Sequence, residues 1–240
     1  MSDARTQLVY DVPTRLFHWL FAGLFVTAYV IANVADDSPA FPYHMLAGIL
    51  LGCLVLLRLV WGVVGTRYAR FSSFELRPMQ LVAYFKGMIA GDGRKWAGHN
   101  PASSWAALIL LALAAGLGIT GILMTDSGNR ETYEDLHELL ANAFLAVALL
   151  HVAGAALHGL KHRDGFARSM IDGRKQAVPE TNPISRSRPV VGLALLALIS
   201  TSGVFLVQHY DPATQTISAF GTTLSLGDEE GQAHEEENED

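Results

Sequence analysis

Five long apolar stretches leave this chain few folds to adopt. Each can cross a bilayer, which takes about 20 apolar residues in a helix. They cover residues 15–35, 43–65, 102–124, 134–160 and 189–209. Charged residues make up only 17% of the chain, against about 25% in a typical soluble domain, and they cluster between these stretches. The sequence therefore predicts an all-α integral membrane helical bundle in contact with lipid, with no nucleic-acid partner.

Three smaller features refine this picture. The first stretch lacks a basic start followed by a small-residue cleavage site, so we expect a retained helix rather than a signal peptide. The amphipathic segment PMQLVAYFKGMIAG, which begins at residue 78, is expected to lie along the membrane interface. Cys53 is the single cysteine and lies inside an apolar stretch. It therefore excludes an internal disulfide, and we interpret it as a packing residue.

The distribution of Lys and Arg predicts the orientation in the membrane. Fifteen of the 17 basic residues lie near the chain start or in the connections 66–101 and 161–188, whereas the other side has only Arg130. That other side has acids instead, among them Asp36 and Asp126. The bias places the N-terminus in the cytoplasm and the C-terminus in the periplasm of a bacterial inner membrane, and five spans satisfy that parity.

Five histidines lie within the apolar stretches or at their ends, and an ionisable side chain in a membrane marks a functional site by default. They occur only on the first, second and fourth stretches: His18, His44, His137, His151 and His158. The last three share one face of a helix, because spacings of 14 and 7 residues nearly restore the same angular position. Alanines separate the three rings on that face, which leaves room for a flat, bulky group.

The depths of the histidines predict two facing pairs. His44 and His137 both open their stretches at the outer side, so they can meet at one level. His151 lies 14 residues beyond His137, about 21 Å along a helix. Measured from the acidic outer boundary, His18 lies at a depth similar to that of His151. We therefore predict an outer pair of His44 with His137 and an inner pair of His18 with His151.

Two imidazoles at each level favour haem over a bare metal ion. Zinc and copper usually take three or four protein ligands, whereas haem iron takes four nitrogens from the porphyrin and needs only two axial ligands. Small residues follow the histidines on their helical faces, with Gly48 and Gly52 after His44 and Ala22 after His18. These residues leave space for a porphyrin, although small residues also serve ordinary helix packing in membranes.

Two further side chains are candidates at the inner level. Arg58 stands 14 residues after His44 on the same helical face, where it can pair with a haem propionate or extend to the cytoplasmic surface. His158 competes with His151 as the inner ligand. Because the depth from the outer side favours His151, we place His158 near the inner surface, where it can hydrogen-bond a propionate or a quinone oxygen.

These motifs resemble the bacterial cytochrome b561 family and its close relative, the b-type cytochrome subunit of nickel–iron hydrogenases. The resemblance covers residue 9 to about residue 175. It rests on four segments: VYDVPTRLFHWL from residue 9, HMLAGILLGCLVLLRLVWG from 44, GHNP from 98 and HELLANAFLAVALLHVAGAALHGLKHRDG from 137. It implies a four-helix core with two noncovalent b haems, and axial ligation by His18, His44, His137 and His151.

The resemblance also implies a division of the chain. We expect a dihaem four-helix bundle over residues 1–165, then a cytoplasmic connection and a fifth transmembrane helix over 166–210, which resembles the hydrogenase-type members. Residues 211–240 match no segment of the family. We expect a disordered periplasmic tail rather than a segment that docks a basic partner, because the last 13 residues contain eight acids and no Lys or Arg. For GHNP the family implies a structural or haem-edge role, while a simpler interpretation is that Asn100 caps a helix beginning at Pro101.

A respiratory-chain electron carrier is the function that these features favour. Two six-coordinate haems leave no open position on iron, so we expect electron transfer between the quinone pool and a redox partner at the outer face. A periplasmic or membrane-attached c-type cytochrome is the first candidate partner, and a hydrogenase or another dehydrogenase is the second. Whether the chain also acts as an enzyme, a quinone oxidoreductase, stays open.

Two other functions are weaker alternatives. A superoxide:quinone oxidoreductase needs a cationic funnel at the outer haem, but the outer face offers only Arg130 among acids, which should repel an anion. A transporter with histidine relays and no haem would also place imidazoles in the membrane. A colourless purified protein would favour the transporter.

Overall fold

Five long helices form the frame of the molecule. The computed structural model describes residues 6–35, 38–91, 94–125, 129–162, 164–179, 181–214, 216–219 and 222–225. Among these residues five helices are long and apolar enough to cross a membrane. They are α1 (Val12–Val34), α2 (Phe41–Val64), α4 (Pro101–Leu123), α5 (Arg130–His162) and α7 (Pro189–Gln208). The predicted membrane bundle is confirmed. Asp36 and Asp126, which marked the outer side in the sequence, lie outside the described residues.

Side-chain caps begin two of these helices where the sequence places a small polar residue before proline. Asp11 caps α1, and its carboxylate accepts a hydrogen bond from the Thr14 amide at 2.8 Å. Asn100 caps α4 in the same way, accepting from the Ser103 amide at 2.8 Å, and Pro101 occupies the first turn. The predicted cap at Asn100 is confirmed. Both caps satisfy amide groups that a helix start leaves without partners.

Helix α5 is longer than a membrane span requires. Its 33 residues extend about 50 Å, whereas the hydrocarbon core of a bilayer is about 30 Å thick. The helix therefore projects beyond the hydrocarbon. The position of His158 near a membrane surface stays a prediction.

The long helices pack against one another, and aromatic side chains meet between α1 and α5. Helix α1 packs on α2, α2 on α4 and α4 on α5, while α7 packs against α1 and α2. Helix α5 faces α1 through Phe144, whose ring centre lies 3.9 Å from that of Phe25 and 6.2 Å from that of Phe21. Phe25 and Phe144 are both buried. These rings fill the middle of the bundle between the two predicted histidine levels.

A polar cap covers one end of the bundle. Strand β1 (Thr6–Leu8) pairs antiparallel with β2 (Arg174–Gln176), and the Tyr68 hydroxyl donates to the Asn182 carbonyl at 2.9 Å. We call this region the basic cap; it comprises residues 6–11, 65–77, 94–100, 164–179 and 181–188. The chain start and the basic connections thus lie on one side, as the Lys and Arg distribution requires. Which side of the membrane this is stays a prediction.

Two short helices accompany the basic cap. Helix α3 (Pro78–Ala90) is the amphipathic segment found in the sequence, and α6 (Ser169–Asp172) is a single turn. Four apolar side chains of α3 are exposed: Met79, Val82, Phe85 and Ile89. This face suits the predicted position along the membrane interface. The opposite face of α3 turns Tyr84 towards His158 on α5.

The segment after α7 differs from the predicted disordered tail. Strands β3 (Tyr210–Asp211), β4 (Thr216–Ala219) and β5 (Thr222–Ser225) form a small antiparallel sheet in that order. The segment is rich in β-branched residues, which favour strands, and Ile217 is buried against Leu46 of α2. Residues 226–240, which hold the acidic run, lie outside the described residues.

Candidate functional site

The outer histidine pair comes together as the sequence predicted. His44 of α2 and His137 of α5 face each other with ring centres 6.1 Å apart. Nδ1 of His44 lies 2.9 Å from the Ala28 carbonyl oxygen of α1, and Nδ1 of His137 lies 2.9 Å from the Thr120 hydroxyl of α4. Four helices thus position the two rings.

These hydrogen bonds assign the tautomer of both outer rings. A carbonyl oxygen only accepts, so Nδ1 of His44 must donate to Ala28. The Thr120 hydroxyl donates its one hydrogen to a backbone carbonyl of its own helix, Gly116 at 3.0 Å or Leu117 at 3.2 Å. It therefore accepts from Nδ1 of His137. Because both Nδ1 atoms carry the proton, both Nε2 atoms keep a lone pair that can bind a metal.

The inner pair also comes together. His18 of α1 and His151 of α5 have ring centres 6.4 Å apart. The His18 ring contacts Trp19 edge to face at 5.0 Å, and its Nδ1 is buried with no hydrogen-bond partner among the described residues. Packing rather than hydrogen bonding therefore holds this ring. A buried polar atom without a partner is unfavourable unless something else satisfies it.

The spacing of each pair fits a metal held between two imidazoles. With metal–nitrogen bonds of about 2 Å, an ion between two facing rings places their centres roughly 6 Å apart. No group of three or more His, Cys, Asp or Glu side chains that could hold a metal occurs in the described part of the chain. Each level thus offers two ligands, which suits a macrocycle that supplies the remaining nitrogens and does not suit a bare zinc or copper ion.

Open space lies beside the outer pair where the small residues were noted. A Cβ atom added at Gly48 or Gly52 would meet no heavy atom within 4 Å. A Cβ at Gly121 would meet only Cε1 of His137, at 3.8 Å. The faces of α2 and α4 therefore have open space at these glycines. Whether this space holds a porphyrin stays a prediction.

His158 lies apart from the inner pair and both of its nitrogens have partners. The side chain is 1% exposed. Its Nδ1 is 2.9 Å from the Tyr84 hydroxyl, and its Nε2 is 3.3 Å from Oδ2 of Asp164. These contacts leave no nitrogen for a metal, which favours His151 as the inner ligand. A contact of His158 with a propionate or a quinone stays a prediction.

Arg58 points into the basic cap. Its Nη2 donates to the Ala69 carbonyl at 3.0 Å, and its guanidinium lies over the Phe71 ring at 4.9 Å from the centroid. Its Nη1 is buried and has no partner among the described residues. The side chain therefore does not extend freely to the surface. The open donor is available to an anion such as a propionate, and that pairing stays a prediction.

His99 of the GHNP motif is a site neighbour that the sequence reasoning did not use. Its ring contacts Tyr10 at 5.2 Å and Phe74 at 4.7 Å between ring centres, and its Nδ1 is buried without a partner in the described ranges. Burial, followed by the positive charges of Arg58 and Lys175, lowers the pKa of His99 to about 3. The ring is therefore neutral. The signal was the motif itself, for which we expected a structural or haem-edge role and a cap at Asn100 but no role for the His99 ring.

A buried lysine and aspartate bind the loops of the basic cap together. Lys175 is 1% exposed and donates from Nζ to the carbonyls of Trp96 at 2.6 Å and Gly98 at 3.1 Å. Burial lowers the pKa of Lys175 to about 8, although Asp164 opposes this effect. Burial pushes the pKa of Asp164 upward, but hydrogen bonding to His158 and the charge of Lys175 hold it below its usual value. Neither residue was predicted as part of a site.

Comparison with known proteins gives a consistent set of matches. The family model described as prokaryotic cytochrome b561 matches residues 9–173. A probable Ni/Fe-hydrogenase B-type cytochrome subunit of Rhodobacter capsulatus is 26% identical over 70% of this chain and 80% of its own length. A protein of the same description from Bradyrhizobium diazoefficiens is 24% identical over 71% of this chain and 86% of its own length. No solved structure matches the chain.

Proposed function

The chain belongs to the prokaryotic cytochrome b561 family, and we propose that this membrane electron-transfer protein binds two b haems, one at each histidine level. The observation that carries the proposal is the pair of facing imidazoles at each level, with ring centres 6.1 Å and 6.4 Å apart. When bound, haem would supply a one-electron iron couple, and the two histidines of each level would hold it.

In this proposal the protein residues bind, orient and insulate. His44 and His137 bind the outer haem through Nε2, and their Nδ1 hydrogen bonds fix the ring orientation. His18 and His151 bind the inner haem. Phe25 and Phe144 exclude water from the space between the levels. Arg58 offers a buried donor to a propionate at the inner level, and His158, which lies 7 residues beyond His151 on α5 (158 − 151), is the candidate contact for a propionate or a quinone.

The electron route runs between the quinone pool in the membrane and a redox partner at the acidic side. On that side the described charges near His137 are mostly acidic and exposed: Glu131, Glu134, Asp135 and Glu138. A partner with a basic face would associate faster through electrostatic steering. A soluble or membrane-attached c-type cytochrome with a basic face fits this surface. An anionic substrate such as superoxide does not, because these acids would repel it.

A hydrogenase partner is the second candidate, and the comparisons favour it. The relatives in two bacteria are described as probable Ni/Fe-hydrogenase B-type cytochrome subunits. By this alternative the chain would receive electrons from a hydrogenase docked at the same acidic side. The histidine pairs would perform the same task, and only the donor would differ.

Haem content tests the proposal most directly. The purified chain should contain two haems per polypeptide by pyridine haemochrome assay and show sharp low-spin bands on reduction. Oxidation by a quinone analogue should then remove the reduced bands. A colourless protein, or a single haem bound by the fully folded chain, would contradict the two-haem assignment.

Orientation requires a separate test. We propose that the basic cap faces the cytoplasm and the acidic side faces the periplasm of the inner membrane, because Lys and Arg concentrate on the cytoplasmic side of membrane proteins. A reporter that works only outside the cytoplasm should be active when fused after residue 240 and inactive when fused after residue 175. Equal activity at the two positions would reject the five-span orientation.

A further inference from the structure

A buried hydrogen-bonded chain lies between the basic cap and α5, outside both histidine pairs. The Asn100 amide nitrogen is 3.2 Å from the Tyr84 hydroxyl, which is 2.9 Å from Nδ1 of His158. Nε2 of His158 is 3.3 Å from Oδ2 of Asp164. His158 and Asp164 are 1% and 3% exposed.

These hydrogen bonds all donate in the same order, from Asn100 to Tyr84, from Tyr84 to His158 and from His158 to Asp164. Asn100 uses its amide oxygen to accept from the Ser103 amide, so its nitrogen donates to the Tyr84 oxygen. The carboxylate of Asp164 only accepts, so Nε2 of His158 carries a hydrogen. Nδ1 of the neutral ring then accepts from the Tyr84 hydroxyl. This leaves Nδ1 as the atom where one more proton can bind, with Asp164 placed to stabilise the resulting imidazolium.

The ionisation of the neighbours supports this arrangement. Burial and then the charge of Asp164 raise the pKa of Tyr84 to about 12, so its phenol keeps the hydrogen that it donates. The pKa of Asp164 is held below its usual value, so the carboxylate is negative. The titratable groups that surround His158 come from three elements: Tyr84 of α3, His162 of α5, and Asp164 and Lys175 of the basic cap.

Water can reach the Tyr84 hydroxyl, which lies between Asn100 and His158 in this set of hydrogen bonds. A cavity of about 70 Å³ is lined by Tyr84, Met88, Trp96 and His162, among others, which is room for a few water molecules. Its lining also includes Ala83 and Arg94, which are exposed. A proton can therefore pass from bulk water to the Tyr84 hydroxyl as that hydroxyl gives its own hydrogen to His158.

We propose that His158 is a redox-linked proton site, which binds a proton at Nδ1 more tightly once the protein has accepted an electron at the inner level. The electron comes from the reductant, the proton comes from water through Tyr84, and both leave again on oxidation. This inference rests on the proposed haem at the inner pair. It assigns His158 a task distinct from ligation and makes α3 part of a proton path rather than only an interfacial anchor.

The distance between His158 and the inner pair sets how much one added electron changes the proton affinity of His158. His158 lies 7 residues beyond His151 on the same helix (158 − 151), roughly 10 Å along the axis. At an effective dielectric constant of about 20, one added electron at that distance changes the proton affinity of His158 by about tenfold. A tenfold change corresponds to a total fall in the inner midpoint potential of about 59 mV as the pH rises through the titration.

Redox potentiometry of the haem-loaded chain at pH values below about 8, the value to which burial lowers the pKa of Lys175, tests the proposal. In the unsubstituted chain the inner potential should fall by about 59 mV, and reduction in weakly buffered solution should take up protons. His158→Gln should keep both haems and abolish the fall. His209→Gln, which changes an exposed histidine stacked on Phe205 at the far end of α7, should retain it.

Tyr84→Phe provides a second measurement that does not depend on replacing the histidine. It keeps the ring but removes the hydroxyl, so proton uptake after rapid reduction should slow at least tenfold while haem content stays at two. An unchanged pH dependence in His158→Gln, loss of a haem in that variant, or an unchanged uptake rate in Tyr84→Phe would overturn the proposal. A chain that binds no haem would instead overturn the proposed function on which it rests.

Discussion

The outer and inner histidine pairs differ in what holds their rings. Both outer rings donate hydrogen bonds from Nδ1, to the Ala28 carbonyl and to the Thr120 hydroxyl. Neither ring of the inner pair has such a bond among the described residues, and Nδ1 of His18 is buried without a partner. The inner rings instead lie next to the basic cap, which contains the buried Lys175 and contacts Arg58 of α2. Hydrogen bonds to neighbouring helices position the outer rings, whereas packing contacts position the inner rings.

The difference has a consequence for chemistry. A ring whose Nδ1 donates to a fixed acceptor keeps one tautomer and one orientation, which strengthens the bond that Nε2 makes to a metal. The inner site lies near buried ionisable groups. Its redox potential should depend on their charge, because electrostatic interactions are stronger away from water. We therefore expect the outer site to be insensitive to pH and the inner site to be sensitive.

Removal of a ligand has the largest expected effect on this comparison. His137→Ala should lose the outer haem and spare the inner one, because the inner pair shares no ligand with it. His151→Ala should do the reverse. The measurement is haem per polypeptide together with the reduced spectrum of each variant. His209→Ala, an exposed histidine outside both pairs, serves as the control and should keep two haems. Two full low-spin haems in either ligand variant would contradict the assignment of these histidines as ligands.

The five helices and the two histidine levels could be predicted from the sequence, because both depend on regular spacing along a helix. Apolar length gave the five helices, and the 14-residue spacing between His137 and His151 predicted two levels on α5. Pairing followed from depth, because helices in a membrane share a common axis direction and a fixed rise. The structure then brought the predicted partners to ring-centre distances of 6.1 Å and 6.4 Å. Their ligation of haem stays a prediction.

The supporting contacts could not be predicted in the same way. The partner of His44 is a backbone carbonyl, which any residue type provides, so Ala28 leaves no signal. Asp164 and Lys175 lie in a connection without periodicity, and their contact with His158 and the loop at residues 96–98 depends on how that connection folds back. The acidic end of the chain misled the prediction for residues 211–225, where β-branched residues and the burial of Ile217 decide the structure.

Loss of the Thr120 hydrogen bond should have an intermediate effect, confined to the outer level. Thr120→Val removes the acceptor for Nδ1 of His137 at nearly constant volume. Loss of a hydrogen bond that orients a metal ligand typically weakens binding by about 10- to 100-fold. We expect outer haem affinity to fall by about tenfold, measured by haem transfer to apomyoglobin, with the inner haem unchanged.

A matched threonine controls for the effect of the substitution itself. Thr27 of α1 also donates to a carbonyl one turn earlier, that of Gly23 at 2.9 Å, but among the described residues it has no hydrogen bond to a histidine. Thr27→Val should therefore leave both haem affinities unchanged. Equal weakening by the two substitutions would show that the Thr120 bond does not distinguish the outer pair from the inner pair.

The smallest expected effect concerns His99, which lies in the basic cap near the inner level. Its pKa is lowered to about 3 by burial and by the charges of Arg58 and Lys175. A group with a depressed basic pKa is neutral above that value, so His99 gains no proton between about pH 5 and pH 8. His99→Gln should therefore shift the inner potential by the same amount at every pH in that range. The slope against pH should match that of the unsubstituted chain, in contrast to His158→Gln. If His99→Gln flattened the slope, the proton site would lie at His99, and the buried tyrosine–histidine–aspartate chain would have only a structural role.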